Sequence, residues 1–331
     1  MRLKFLCFFF VIVTSLIQAQ TSKISVSQLM LGGSRGKDSV AMPIKVGRTV
    51  SFDIEEGSYL DVDISPNDTM ILFSCLGELF SLPAKGGTAK QITHGLGINS
   101  CPIWSPNGKL KAYISDATGF IRIHITDSAG KLHKVLGEEK LQLRPENLKL
   151  LWFPDSKHIL AGNDIYDLTG LISTLPKEIK KLIGFSSEGK FMYCLQEISR
   201  DSSALFRLNR LTSQKSRLIV YNKPWDKLNI ANGKISPDGN WLSYIKFEAL
   251  DYYNGRSGRA DSLMIINLKT GDEKLLAYLD IKFTGFLNAL NYSFSKDSKY
   301  LFIGYGGKIH RIEIEASKNE IIPFTRSEEL V

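Results

Sequence analysis

Short apolar runs separated by polar turns recur along nearly the whole chain, and the turns are built alike. The phrase appears as Ser65-Pro66-Asn67-Asp68, Ser105-Pro106-Asn107-Gly108, Phe153-Pro154-Asp155-Ser156, Ser186-Ser187-Glu188-Gly189, Ser236-Pro237-Asp238-Gly239 and Ser295-Lys296-Asp297-Ser298. Proline in second place presets φ, and the Asp, Asn or Gly after it tolerates positive φ, so each copy predicts a tight turn between two strands. An apolar run of strand length follows, as at residues 70–73, 112–114, 191–194, 241–245 and 300–304, rich in β-branched and aromatic residues. A strand of alternating character comes next (120–125, 263–268, 308–314), then a turn such as Lys85-Gly86-Gly87 and a short fourth strand such as 90–93. No long stretch carries helical periodicity, so the expected class is all-β.

Ser65 and Ser295 lie 230 residues apart, a mean of 46 over five intervals. That matches the period of about 40–50 residues for one four-stranded propeller blade. The expected architecture is a β-propeller of about six four-stranded blades, with the strand entering each turn innermost and lining a central channel. Residues 247–261 interrupt one repeat as an extended segment whose Tyr252, Tyr253, Arg256 and Arg259 read either as a ligand or partner contact or as a long hairpin packing on its own surface. The repeat beginning at Trp152 is short and is expected to be distorted. Residues 49–54 read as an outer strand preceding the first turn, and 320–324 as the outer strand of the last repeat. That is one strand too many for six closed blades, which predicts a displaced terminal strand or self-association through an unpaired edge.

Composition narrows the setting. The 331 residues are 43% hydrophobic and 23% charged, which suits a folded globular protein. Arg2 and Lys4 precede an apolar run from Phe5 to Val13, and Ala19 comes before Gln20. This is the arrangement of a cleavable secretory signal, too short to span a bilayer. The expected organisation is a signal peptide at 1–19, a linker at 20–46 and a propeller over 47–331, in a periplasmic or secreted protein without a membrane span. Net charge is +8, or +6 without Arg2 and Lys4, and the basic residues are scattered through turns, which argues against nucleic acid as a partner. Cys75, Cys101 and Cys194 remain once Cys7 leaves with the signal. An odd number in an oxidising compartment leaves at least one thiol free, and Cys75 and Cys194 sit in apolar runs as small hydrophobes.

Residues with catalytic chemistry are sparse. His94, His124, His133, His158 and His310 form no His-x-His or His-Glu-x-x-His pair, so neither a zinc nor a two-metal hydrolase centre assembles in the usual way. Gly32-Gly33-Ser34-Arg35-Gly36 matches the nucleophile-elbow pattern but lacks the buried strand and following helix that the motif needs. No catalytic residue, metal ligand or cofactor is expected. Asp61 and Asp63 alternate on one face of the strand entering the first turn. They read either as carboxylates accepting backbone N–H groups or, with Asn229, Asn288 and Asn291, as channel residues facing a small ligand or a chain of waters.

These turns, each followed by an apolar strand, resemble the PD40 (WD40-like) repeats of TolB-like propellers. Glu56-Gly57-Ser58-Tyr59-Leu60-Asp61-Val62-Asp63-Ile64-Ser65-Pro66, Leu76-Gly77-Glu78-Leu79-Phe80-Ser81-Leu82-Pro83-Ala84-Lys85-Gly86-Gly87 and Tyr305-Gly306-Gly307-Lys308-Ile309-His310-Arg311-Ile312 with Ile322-Pro323-Phe324-Thr325 are similar to the propeller region of exported bacterial amidohydrolases. In that family the resemblance implies a TolB-like propeller joined to a metal-dependent barrel whose ligands begin with His-x-His. No segment here matches that motif, so no catalytic residue carries over. Two functions follow. One is an exported, non-catalytic module that binds a protein, peptide or glycan, as the TolB resemblance implies. The alternative is the propeller part of a truncated or split amidohydrolase whose catalytic barrel is missing from this chain.

Overall fold

The six repeated turns share one hydrogen-bonding scheme in the structure, a computed structural model that describes residues 50–58, 60–95, 97–137, 149–179, 181–199, 202–221, 233–249, 259–279 and 290–330. The first residue of each phrase donates its N–H five residues ahead, as Ser65 N does to Met70 O at 2.8 Å, and accepts from the fourth, as from Asp68 N at 2.8 Å. Where that first residue is serine, its Oγ also accepts from the residue five ahead, Met70, Leu110, Phe191, Trp241 or Tyr300, at 2.9–3.0 Å. The fourth position is left-handed throughout, with φ from 57° to 71° at Asp68, Gly108, Ser156, Gly189, Gly239 and Ser298. Glycine is easiest there. The three that are not glycine each accept an N–H from the turn of the preceding blade in the ring: Lys296 N to Asp68 Oδ1 at 3.0 Å, Asn107 N to Ser156 Oγ at 3.1 Å and Asp238 N to Ser298 Oγ at 3.1 Å.

Each turn joins the first and second strands of a four-stranded antiparallel sheet, and there are six such sheets among the described residues. Their first strands are Val62–Ile64, Asn99–Trp104, Leu150–Trp152, Lys181–Phe185, Lys234–Ile235 and Ser293–Phe294. First strands touch between blades 1 and 2, 2 and 3, 4 and 5, and 6 and 1, which places them around the centre. No helix occurs among the described residues. The core lies between blades. Leu150, Trp152 and Ile159 pack on Ile103, Ala112 and Ile123 between blades 2 and 3, and Phe302 and Ile309 pack on Val62, Phe73 and Phe80 between blades 6 and 1. Similar apolar clusters join blades 3 to 4, 4 to 5 and 5 to 6. Blades 1 and 2 are joined largely by hydrogen bonds, including Asn99 N to Gly77 O at 2.8 Å.

Three details bear on the sequence reading. Val50–Ile54 belongs to no blade, because every blade already has four strands of its own. The last blade ends with Lys318–Ile322, and the extra strand is Phe324–Leu330. It pairs antiparallel with Val50–Ile54 and parallel with Gly87–Thr88, forming a separate three-stranded clasp beside blade 1. The terminal strand that raised the expectation of self-association is therefore paired within the chain. Phe324 packs on Phe73 with ring centroids 5.1 Å apart, and Arg326, 1% exposed, lies 4.8 Å over the Phe80 ring. Second, the blade beginning at Leu150 is short but complete, with one irregularity between Ile165 and Tyr166. Third, the interruption in blade 5 is flanked by two nine-residue strands, Trp241–Ala249 and Arg259–Asn267, paired along their whole length as a long hairpin.

Candidate functional site in the central channel

Alternate residues of a strand share a face, so first strands of regular pairing present the same two positions to the channel. Asp61, Lys149 and Asn291 each stand four residues before their turn, in blades 1, 3 and 6. Lys181 stands five before, but an irregularity between Leu182 and Gly184 absorbs one residue and restores it to the same level in blade 4. Two residues nearer the turn come Asp63, Lys234 and Ser293 in blades 1, 5 and 6. Three lysines, two aspartates and an asparagine thus converge from five blades.

Asp61 is a staple. Its Oδ1 accepts from Asn291 N at 2.8 Å and its Oδ2 from Cys101 N at 2.8 Å, tying blade 6 and blade 2 to blade 1. Cys101 can aim its N–H there because it is left-handed, φ 51°, within the irregular stretch between Ser100 and Ile103. Asp63 Oδ2 accepts from Trp104 N at 2.7 Å. Burial pushes both carboxyls up to about 6; main-chain donors oppose this at Asp61, and Lys234 with Trp104 N opposes it at Asp63. Asn291 completes the seam: Val62 N donates to its carbonyl at 2.9 Å, and its Nδ2 donates to Pro102 O at 3.0 Å.

The lysines face this staple. Lys234 Nζ donates to Asn291 Oδ1 at 2.8 Å, and Lys149 Nζ donates to Gly233 O at 2.6 Å. The Lys181 ammonium has neither a hydrogen bond nor an ion pair among the described residues, while its main chain pairs with Leu195. Burial lowers all three ammonium groups. It pulls Lys181 down to about 8, and Lys149, which also feels the charges of Lys234 and Lys181, lies well below the usual lysine range. Lys234 is lowered by burial as well, with Asp63, Cys101 and Asp61 opposing the shift. Such charges are costly when desolvated without a carboxylate partner.

Of the sequence candidates, the structure brings together Asp61, Asp63 and Asn291, all under 10% exposed. Asn229, Asn288, Tyr252, Tyr253 and Arg256 lie outside the described residues, as do the expected signal peptide and linker. Arg259 begins the third strand of blade 5. Lys149, Lys181 and Lys234 were not legible as site residues. The available signal was their placement four, five and two residues before a turn phrase, which becomes channel-facing only when the irregularity in blade 4 is known. The histidines lie apart, with His124 and His133 on the third and fourth strands of blade 2 and His158 and His310 in blades 3 and 6, and Cys75, Cys101 and Cys194 are buried and form no disulfide among the described residues. No group of three or more potential metal ligands occurs among the described residues, and no helix among them is long and apolar enough to cross a membrane.

Neither a family model nor a curated protein sequence matches the chain. Solved structures do. TolB from Acinetobacter baumannii superposes with a TM-score of 0.54 and 17% identity, over 81% of this chain and 65% of that one. The tricorn protease superposes with a TM-score of 0.49 and 12% identity, over 85% of this chain and 36% of that one. The chain thus spans just under two thirds of the length of the Acinetobacter TolB. With six four-stranded blades built on a repeated turn and a superposition on TolB that runs through most of the ring, the chain has the fold of a TolB-like β-propeller.

Proposed function

We propose that the chain is an exported, non-catalytic binding or scaffold module that holds a protein, peptide or glycan at the channel mouth where the first strands begin. The observation that carries this reading is the placement of Lys149 and Lys181 in the channel without a carboxylate partner among the described residues. A propeller needs no buried ammonium groups for its stability, so their presence points to a ligand. Export rests on the basic start and apolar run at residues 2–13, and the non-catalytic reading on the absence of a recognisable nucleophile or metal motif in the sequence. The likeness to amidohydrolase propellers rests on sequence motifs alone.

The test uses faces. Ser58 is exposed beside the start of the first strand in blade 1, and Lys109 lies in a turn at the opposite end of the channel. A diazirine residue placed at Ser58 in the exporting host is expected to crosslink one discrete species that the same probe at Lys109 does not. Equal patterns from both faces, or none from either, would sink the reading.

A further inference from the structure

We propose that Lys149, Lys181 and Lys234 form a carboxylate-binding site in the channel, so that the ligand of this propeller enters with an acidic group first. The inference rests on the binding reading above and assigns the chemistry of the contact. Its geometry is a half-ring. Blades 3, 4 and 5 each direct one lysine to the centre from the first strand or the residue before it, while blades 1, 2 and 6 meet at the Asp61–Asn291 staple. Positive charge is thereby confined to one side of the channel.

The aspartates do not neutralise that side. Both Asp61 oxygens are already held by main-chain donors, and Asp63 holds Trp104 N while its charge acts on Lys234. Lys149 has one acceptor, the carbonyl of Gly233, which leaves two of its three donor positions for another group. Lys181 keeps all three among the described residues. Among the described residues the cluster holds three lysines and two aspartates, so with all five ionised it carries a single positive charge, which a monoanion balances and a phosphate dianion overshoots. Lysine also suits a point contact to one carboxylate, whereas a bidentate phosphate clamp is the province of arginine, and no arginine joins the cluster among the described residues. The carboxylate can arrive free or on the side chain of a peptide.

Competitive acetylation of the full chain with a trace of acetic anhydride, read lysine by lysine by peptide mass spectrometry, tests the site. Glutarate stands for a free carboxylate and hexaglutamate for an acidic peptide. Only the unliganded fraction reacts, so at twice the dissociation constant labelling of Lys149 and Lys181 is expected to slow about threefold, with exposed Lys109 and Lys157 unchanged. Protection by glutarate and hexaglutamate alike assigns a free carboxylate, and protection by hexaglutamate alone assigns an acidic peptide. No protection by either, the same slowing by sodium chloride at matched ionic strength, or stronger protection by inorganic phosphate would overturn the proposal. Lys181→Met should abolish protection at Lys149 while leaving the circular dichroism spectrum unchanged; persistence of protection in that variant also counts against it. If face-specific crosslinking at Ser58 holds while protection fails, the binding reading stands and only the carboxylate assignment falls.

Discussion

The main-chain nitrogen of Asn291 donates to Asp61 Oδ1 at 2.8 Å, across the seam where the last blade meets the first, while the other oxygen of the same carboxylate holds Cys101 N in blade 2. One side chain thus joins three blades.

Asp61→Asn leaves one carbonyl oxygen for two donors, so it should destabilise the fold by about 1–3 kcal/mol, the cost of a buried group left unpaired. The pH dependence has a definite sign. The Asp61 carboxyl is raised from 3.8 to about 6 by burial, so the folded state binds its proton more tightly than the unfolded state, and this group adds stability as pH falls from above 6 towards 4. The asparagine variant lacks that gain. The stability gap between the two proteins should therefore widen from pH 7.5 to pH 5, as urea unfolding at both values would show; a gap that narrows contradicts the assignment.

Lys181→Met should stabilise the protein at pH 7. The Lys181 ammonium is lowered from 10.5 to about 8 by burial, so its penalty is full below pH 8 and is relieved as pH rises towards 10.5. The gain, about 1–3 kcal/mol after discounting for the partial access of the channel to water, should shrink steadily over that interval. Thermal melts at pH 7 and pH 10 measure it, and an equal gain at both would show that packing, not charge, is responsible.

Ser298 is left-handed, φ 60°, and its Oγ accepts Asp238 N from the neighbouring blade. Glycine there loses the hydrogen bond but sheds the backbone strain, whereas alanine loses the bond and keeps the strain. Each contribution is about 1 kcal/mol, so Ser298→Ala should be the less stable variant by roughly that amount. Chemical denaturation of the two variants gives the order directly.

Gly86, φ 91°, has no room for a side chain, since a Cβ there would lie 2.5 Å from Pro323 O. Gly86→Ala should push the terminal strand off blade 1. Amide exchange should then speed up at Gly87 and Ala89, whose N–H groups donate to Pro323 O and Thr325 O, and stay slow at Val62 and Ser74 within the ring. Unchanged exchange at Gly87 and Ala89 would mean that the clasp tolerates the displacement.

The turns, and with them the blade count, could be read from the sequence because proline, Asx and glycine act through local backbone geometry, as Ser236-Pro237-Asp238-Gly239 does. The clasp could not be read in the same way. Whether Val50–Ile54 completes a blade or pairs with Phe324–Leu330 depends on partners more than 270 residues apart, a choice made by packing such as Phe324 on Phe73. Asp61 was visible as a channel-facing carboxylate, but its donors come from Asn291 and from a left-handed Cys101, and no local pattern announces positive φ at a cysteine. The lysines were hidden for a related reason: a one-residue irregularity decides which face Lys181 occupies.

Because no blade borrows a strand from another, every four-stranded ladder closes over a short stretch of chain, whereas the contact of Asn291 with Val62 spans 229 residues. The ladders are therefore low in contact order and can form early, leaving closure of the ring as a single late event. The entropy of that closure rises only slowly with length, about 1.4 kcal/mol more for 230 residues than for one 46-residue repeat. The order in which the blades follow one another is thus nearly free in energy. A chain opened between two other blades and rejoined across the Asn291–Val62 seam would keep all six ladders intact, and the clasp of Val50–Ile54 with Phe324–Leu330 is what sets this seam apart from the others among the described residues.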